Sequence, residues 1–190
     1  WFSEAVRLAK AHDLREQPVT RLVVAMDAVM ATYRRQAECV RLYDSDDPYS
    51  DDDPWVLGAM RVMRSHAALN AGMLHEKAEA DLRAALAAFR RAGERWGLSF
   101  TLSTLADVVA WRGDFATALE HYEEAVRLFA ALVTNDDLVR YRLKIVGLRL
   151  NLGQYDSALA ELALAERDAD RSGMAECTAG VAHMRGELAR

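Results

Sequence analysis

One helical face recurs along this chain at constant spacing, and that recurrence limits the fold more than any other feature. Ala118, Tyr122, Ala125 and Phe129 follow at offsets of four, three and four, which puts them on one side of an α-helix. Forty residues earlier the same offsets select Ala78, Leu82, Ala85 and Phe89, and forty residues later Ala158, Leu162, Ala165 and Ala169. Each copy therefore reads small, large, small and then mostly large. Small residues at a fixed helical spacing let a neighbouring helix approach closely. A unit copied at constant length cannot bury such a face alone, so the copies are expected to stack.

The glycines keep the same period. Gly113 and Gly153 lie forty apart, each just before an aromatic and five residues before the first small alanine of its helix. Gly93 and Gly173 lie two periods apart, at the other turn of the unit. Gly72 falls one residue early, and Val133 replaces glycine in the middle unit. There Thr134 and Asp137 have the spacing of a capping box. Proline is scarce: Pro18, Pro48 and Pro54 are the only three, and Ala, Leu, Arg and Glu fill most of the chain. The spacing predicts helices over 55–70, 75–92, 96–111, 115–132, 136–151, 155–171 and 174–189. Asp53 and Pro54 read as the N-cap and first position of the earliest of these. Met174, Cys177, Val181, Met184 and Leu188 form a stripe on the last helix that packs on the preceding one, weakened by Gly180 and Gly186.

Before Asp53 the register is lost, with Glu38 where a small residue belongs. Residues 2–12 and 19–43 read as helical, the second stretch as one helix or as two with a bend near Tyr33–Arg35. Asp44 to Pro54 form a polar, acidic linker. Its Asp44, Asp46, Asp47, Asp51, Asp52 and Asp53 offer oxygen ligands of the kind calcium takes, but the loop glycine and terminal Glu of an EF-hand are absent. A solvated connector is the expectation.

Charge and motifs exclude several functions. Lys and Arg total 24 against 29 Asp and Glu, a formal charge of −5, so no basic stripe for direct nucleic-acid contact is expected. Cys39 and Cys177 are too few for a disulfide scaffold and read as small buried hydrophobes, which points to a reducing, cytoplasmic setting. The apolar runs Leu128–Val133 and Ala84–Phe89 are far short of the roughly 20 residues that cross a membrane. No secretory leader is visible. The chain opens on Trp1 and closes on Arg190 inside a helical pattern, as expected of a segment of something longer. No phosphate-binding loop, dinucleotide fingerprint or nucleophile elbow occurs. His12, His66, His75, His121 and His183 are scattered without zinc spacing. His121-Tyr122-Glu123-Glu124 reads as a solvated helix surface. The expectation is a non-enzymatic chain with no cofactor and no metal.

The Ala118, Tyr122, Ala125 set and the Gly113-Asp114-Phe115 turn resemble the tetratricopeptide repeat. In the first helix Leu105 and Ala106 stand where the family prefers Leu-Gly and Leu102 where it prefers Trp, and the next unit has Ile145 and Val146 at the Leu-Gly place. Forty residues rather than thirty-four resembles the longer-helix variants. The resemblance covers residues 55–190 and implies an all-α, right-handed α-α superhelix of about three helical pairs and a final helix. Its units fall at about 59–98, 99–138 and 139–178, with residues 1–54 packed on them as N-terminal helices and linker. Residues 53–72, 78–129 and 152–173 also resemble the C-terminal repeat region of large actinobacterial transcription regulators. These are the Streptomyces antibiotic regulatory protein type and the LuxR type with an ATPase module. In both, the resemblance implies a repeat region that senses a ligand or partner and restrains the other domains.

In the repeat class, the first helix of each pair lines a concave wall. Carried onto this chain, the inward positions are Met60, Met63 and Asn70; Phe100, Ser103, Asp107 and Trp111; Arg140, Leu143 and Asn151; and His183 and Glu187. For the apolar members, packing between helices is the competing expectation. Arg140, Arg142, Lys144 and Arg149 make one locally basic helix, read as solubilising, with an acidic partner or a phosphate as the alternative. The expected partner is a protein, a peptide or another domain of the same chain. A small effector and a second copy docking through the terminal helix are the other readings.

Overall fold

A computed structural model describes residues 8, 11–12, 54–70, 72, 75–130 and 135–189. Every regular element among them is a helix: α1 (Pro54–Asn70), α2 (His75–Ala92), α3 (Arg95–Trp111), α4 (Phe115–Phe129), α5 (Asn135–Asn151), α6 (Tyr155–Ser172) and α7 (Ala175–Leu188). The fold is all-α. The stretch 19–43, the acidic linker with its calcium candidates, Cys39, Asp53 and Thr134 lie outside the described residues. Of the expected helix 2–12, only a turn closed by His12 N–H on the Leu8 carbonyl at 3.0 Å is described.

The turns explain the helix ends. Gly173 adopts φ 66°, a left-handed conformation that side chains resist, and its N–H bonds the Ala169 carbonyl to close α6. Gly153 is also left-handed, at φ 70°, and after α5 its N–H bonds the Leu150 carbonyl at 3.0 Å while the Gln154 N–H bonds that of Arg149 at 2.8 Å. Asp114 starts α4 by accepting from the Thr117 N–H at 3.1 Å, and hydrogen bonds from the Thr117 side chain first and its backbone second hold the carboxyl below the usual aspartate range. Helix α4 ends at Phe129, three residues before the expected 132, with Ala130 as its C-cap donating its N–H to the Val126 carbonyl.

The chain divides into two compact units, Trp1–Gly97 and Leu98–Arg190, the division falling within α3. In the first unit α1 and α2 run antiparallel. Gly58 lies under the Phe89 ring, Ser65 Oγ donates to the Ala78 carbonyl at 3.1 Å, and Arg61 and Arg64 meet Asp81 between them.

The second unit carries the same antiparallel pairing from helix to helix. Tyr122 of α4 bonds Asp107 of α3, Phe129 of α4 packs on Tyr141 of α5, and Arg142 of α5 reaches Glu161 and Asp168 of α6. First helices of successive pairs lie side by side in the same direction. Ser103 and Asp107 of α3 meet Tyr141 and Lys144 of α5, and Leu143 of α5 meets Gly180 of α7. The repeated alanines are the contact points. Ala78, Ala85, Ala118, Ala125, Ala158 and Ala165 are each 0% exposed, so a bulkier side chain at any of them has nowhere to go.

Candidate functional site

Helix α5 is the element on which the second unit turns, and its faces have separate tasks. One face is apolar: Val139, Ile145 and Val146 are buried, Val139 and Val146 in a core with Ala158, Leu162 and Ala165 of α6. A second face is charged yet inward. Arg142 bonds Glu161 at 2.5 Å and Asp168 at 2.6 Å, while Arg149 bonds Glu123 of α4 at 2.9 Å and Glu161 at 3.3 Å. Both arginine side chains are largely covered. The reading of α5 as a solubilising basic surface is therefore corrected for Arg142 and Arg149. They are fasteners between helices, with their long stems covering apolar surface. Helical periodicity alone does not separate a covered arginine from a solvated one.

The aromatic face of α5 meets α4. Tyr141 lies 5.8 Å from the Tyr122 ring and 5.6 Å from Phe129, edge-on to the latter. Burial raises the pKa of both phenols, and the facing Asp107 carboxylate raises that of Tyr122 further. Tyr122 and Glu123 thus depart from the expected solvated run at His121–Glu124: one is core and the other an ion-pair partner.

The remaining face of α5 looks at α7, and between them is a cavity of about 450 Å³. Val139 and Leu143 of α5 and Cys177, Gly180 and Met184 of α7 supply its apolar lining, with Met174 beside them. Arg140 and Lys144, one turn apart on α5, and Asp137, Glu176 and His183 supply its polar lining. Arg140 pairs with Asp137 at 2.5 Å and lies 5.5 Å from the Tyr141 ring centre, and Lys144 pairs with Asp107 at 3.0 Å. Gly180 faces Leu143 closely: a Cβ there would stand 2.9 Å from Leu143 Cδ1, and the leucine end would have to shift to admit it.

The twelve expected wall residues separate. Arg140, Leu143 and His183 line this one cavity; Phe100, Ser103, Asp107, Trp111, Asn151 and Glu187 do not. Ser103 is buried, donating to the Phe100 carbonyl and lying 3.1 Å from the Tyr141 hydroxyl, so it joins α3 to α5 and is not presented on a wall. Asp107 is held by Tyr122 at 2.8 Å as well as by Lys144. Asn151 turns back on its own helix, donating to the Gly147 carbonyl. Trp111 is 62% exposed at the end of α3, and His183 and Glu187 are exposed on α7. In the first unit Met60 is core, packed with Val56, Trp55 and Ala59, and Met63 is half-buried. The Asn70 side chain lies outside the described set. Met174, Cys177 and Met184 were legible as a stripe facing α6, but not as residues that also border a cavity toward α5.

Among the described residues no three His, Cys, Asp or Glu side chains gather as metal ligands, and no helix is long and apolar enough to cross a membrane. No family model and no curated protein matches the chain. Among solved structures it is similar to BtubC (BKLC) from P. vanneervenii, with 18% identity over 98% of this chain and 87% of that one and a TM-score of 0.49.

Proposed function

We propose that this chain is a non-catalytic tetratricopeptide-like interaction and regulatory module of a larger bacterial transcription regulator. The observation that carries the reading is the forty-residue brick, whose paired alanines at 78 and 85, 118 and 125, and 158 and 165 are all fully covered. A stack of such bricks holds a recognition surface at low entropic cost, and small rotations between bricks alter contacts with attached domains. The resemblance of 53–72, 78–129 and 152–173 to actinobacterial regulators supplies the regulatory context, of the antibiotic regulatory protein type or the LuxR type. The direct test is reporter transcription driven by the full-length regulator with and without residues 54–189. Loss of restraint or loss of response supports the reading, and output unchanged on both counts against it.

A second reading, effector sensing within the same module, is favoured by the α5–α7 cavity. Its volume lies in the range of small-molecule sites, and it combines an apolar lining with convergent polar groups.

A further inference from the structure

We infer that the α5–α7 cavity binds a small ligand with an apolar body and one anionic head, of the medium-chain carboxylate class. The inference rests on the effector reading and names the ligand chemistry of that same cavity. Three observations converge on it, all within the second unit.

The first is the lining. Leu143, Val139, Cys177, Met184 and Met174 present hydrocarbon and sulfur with no polar atom among their side chains except the thiol, so an apolar body gains by displacing water there. Methionine and cysteine are soft and adaptable, suited to a flexible tail more than to a rigid polar ring system.

The second is Met174. It occupies the N-cap position of α7, where serine, threonine, aspartate and asparagine are preferred, and its side chain makes no capping hydrogen bond. It is 42% exposed and borders the cavity. A methionine in that place does little to start the helix, but it extends the apolar lining toward solvent.

The third is the placement of charge. Arg140 and Lys144 project from adjacent turns of α5 into the cavity wall. Their partners are exposed: the Asp137 side chain is 41% and the Asp107 side chain 37% accessible. Pairs of this kind contribute little and exchange readily with solvent or ligand. A guanidinium offers five N–H donors and an ammonium three, so a carboxylate head can be accepted without both present bonds being given up. Glu176 and Cys177 in the first turn of α7 border the same cavity, and the positive end of that helix dipole favours an anion nearby. Asp137, Glu176 and His183 also line the cavity, and the two carboxylates disfavour a second anionic group on the ligand.

The experiment uses decanoate, decanol and decylamine, which share a tail and differ in the head. In a Cys39→Ser background Cys177 is the single thiol, since the chain has two cysteines. Alkylation of Cys177 by a small thiol reagent then reports cavity occupancy, with helicity as the check on folding. Decanoate is expected to slow alkylation and to bind roughly tenfold more tightly than decanol, with decylamine weakest. Arg140→Gln combined with Lys144→Gln should bring decanoate down to the affinity of decanol and leave decanol unchanged. Equal affinity of the three probes, no protection of Cys177 up to their solubility, or decanoate binding indifferent to the double substitution would each overturn the inference. Binding is read on this chain directly, so a negative result leaves the transcription test of the module standing. A regulator that fails that test while this chain binds decanoate loses the regulatory reading alone.

Discussion

The α1–α2 pair and the α5–α6 pair stand two repeats apart, and they solve the same packing problem with different residues. Both hide a pair of alanines at the same register, Ala78 with Ala85 and Ala158 with Ala165. Beyond those the solutions diverge. Phe89 of the first pair lies against Gly97 at the start of α3, where a Cβ would stand 2.5 Å from the ring. Two periods on, the corresponding positions are Ala169 and Cys177, both in one core cluster. Volume has moved from one partner to the other, while the covered alanines stay the same. Charge is redistributed in the same manner. Asp81 and Glu161 occupy one repeat position and both are buried. Asp81 is shared by two arginines, Arg61 and Arg64, whereas Arg142 and Arg149 each have two acids among Glu123, Glu161 and Asp168. The repeat thus keeps its covered alanines, and side chains trade size and charge around them.

The largest test of this trade is at the aromatic. Phe89→Ala alone should lose about 3–5 kcal/mol of stability, from a ring deleted in a closed site. Gly97→Cys alone should lose about 1–3 kcal/mol by overpacking. Made together they copy the Ala169 and Cys177 arrangement. The double variant, measured by chemical denaturation, should be more stable than the sum predicts by at least about 1 kcal/mol. Simple additivity would break the comparison.

Next in size is the buried acid. Asp81→Asn removes the acid that two arginines share and should cost about 3 kcal/mol. Glu161→Gln leaves Arg142 on Asp168 and Arg149 on Glu123, and should cost about 1 kcal/mol. The reverse ranking would show that the extra acids in the second unit do not substitute for one another.

A smaller effect separates the units by pH. Tyr122 and Tyr141 hold their protons more tightly when folded, because burial disfavours the phenolate and Asp107 opposes it at Tyr122. The unfolded chain gives up those protons first, at about pH 10. Stability from this source is therefore complete below that pH and declines as pH rises beyond it. Alkaline denaturation of Tyr122→Phe should show a shallower decline than the parent protein. The smallest effect is at the surface, where Arg83→Ala, which removes the exposed arginine of the i,i+4 pair with Glu79 on α2, should change stability by no more than about 0.5 kcal/mol.

Much of this architecture was legible in the residues. The alanine faces and the glycine turns come from spacing alone, and the helix limits follow to within three residues. Those signals are local and periodic, which is why they survive without a structure. The buried ion pairs were not legible. Arg142 and Arg149 look like any charged residue on a helix, and Glu161 and Asp168 sit beside Leu162 and Ala169 as if on a polar edge. One available signal was that Asp81 and Glu161 occupy the same register, each directly before the large residue of the face. The cavity was half legible: Arg140, Leu143 and His183 fall in the wall register, but the gap itself depends on how far apart α5 and α7 lie. There Gly180 lies close to Leu143, a contact between residues thirty-seven positions apart that no local pattern announces.

The account depends on alanines that must stay small. Chemical denaturation of Ala118→Leu and Ala158→Leu, each beside an exposed control on the same helix, Ala116→Leu and Ala160→Leu, tests it most directly. The buried substitutions should each lose about 1–3 kcal/mol, and the controls should stay within about 0.5 kcal/mol of the parent protein. Equal, small effects at all four positions would mean that no helix is seated against those faces, and the repeated brick would not be the basis of the fold.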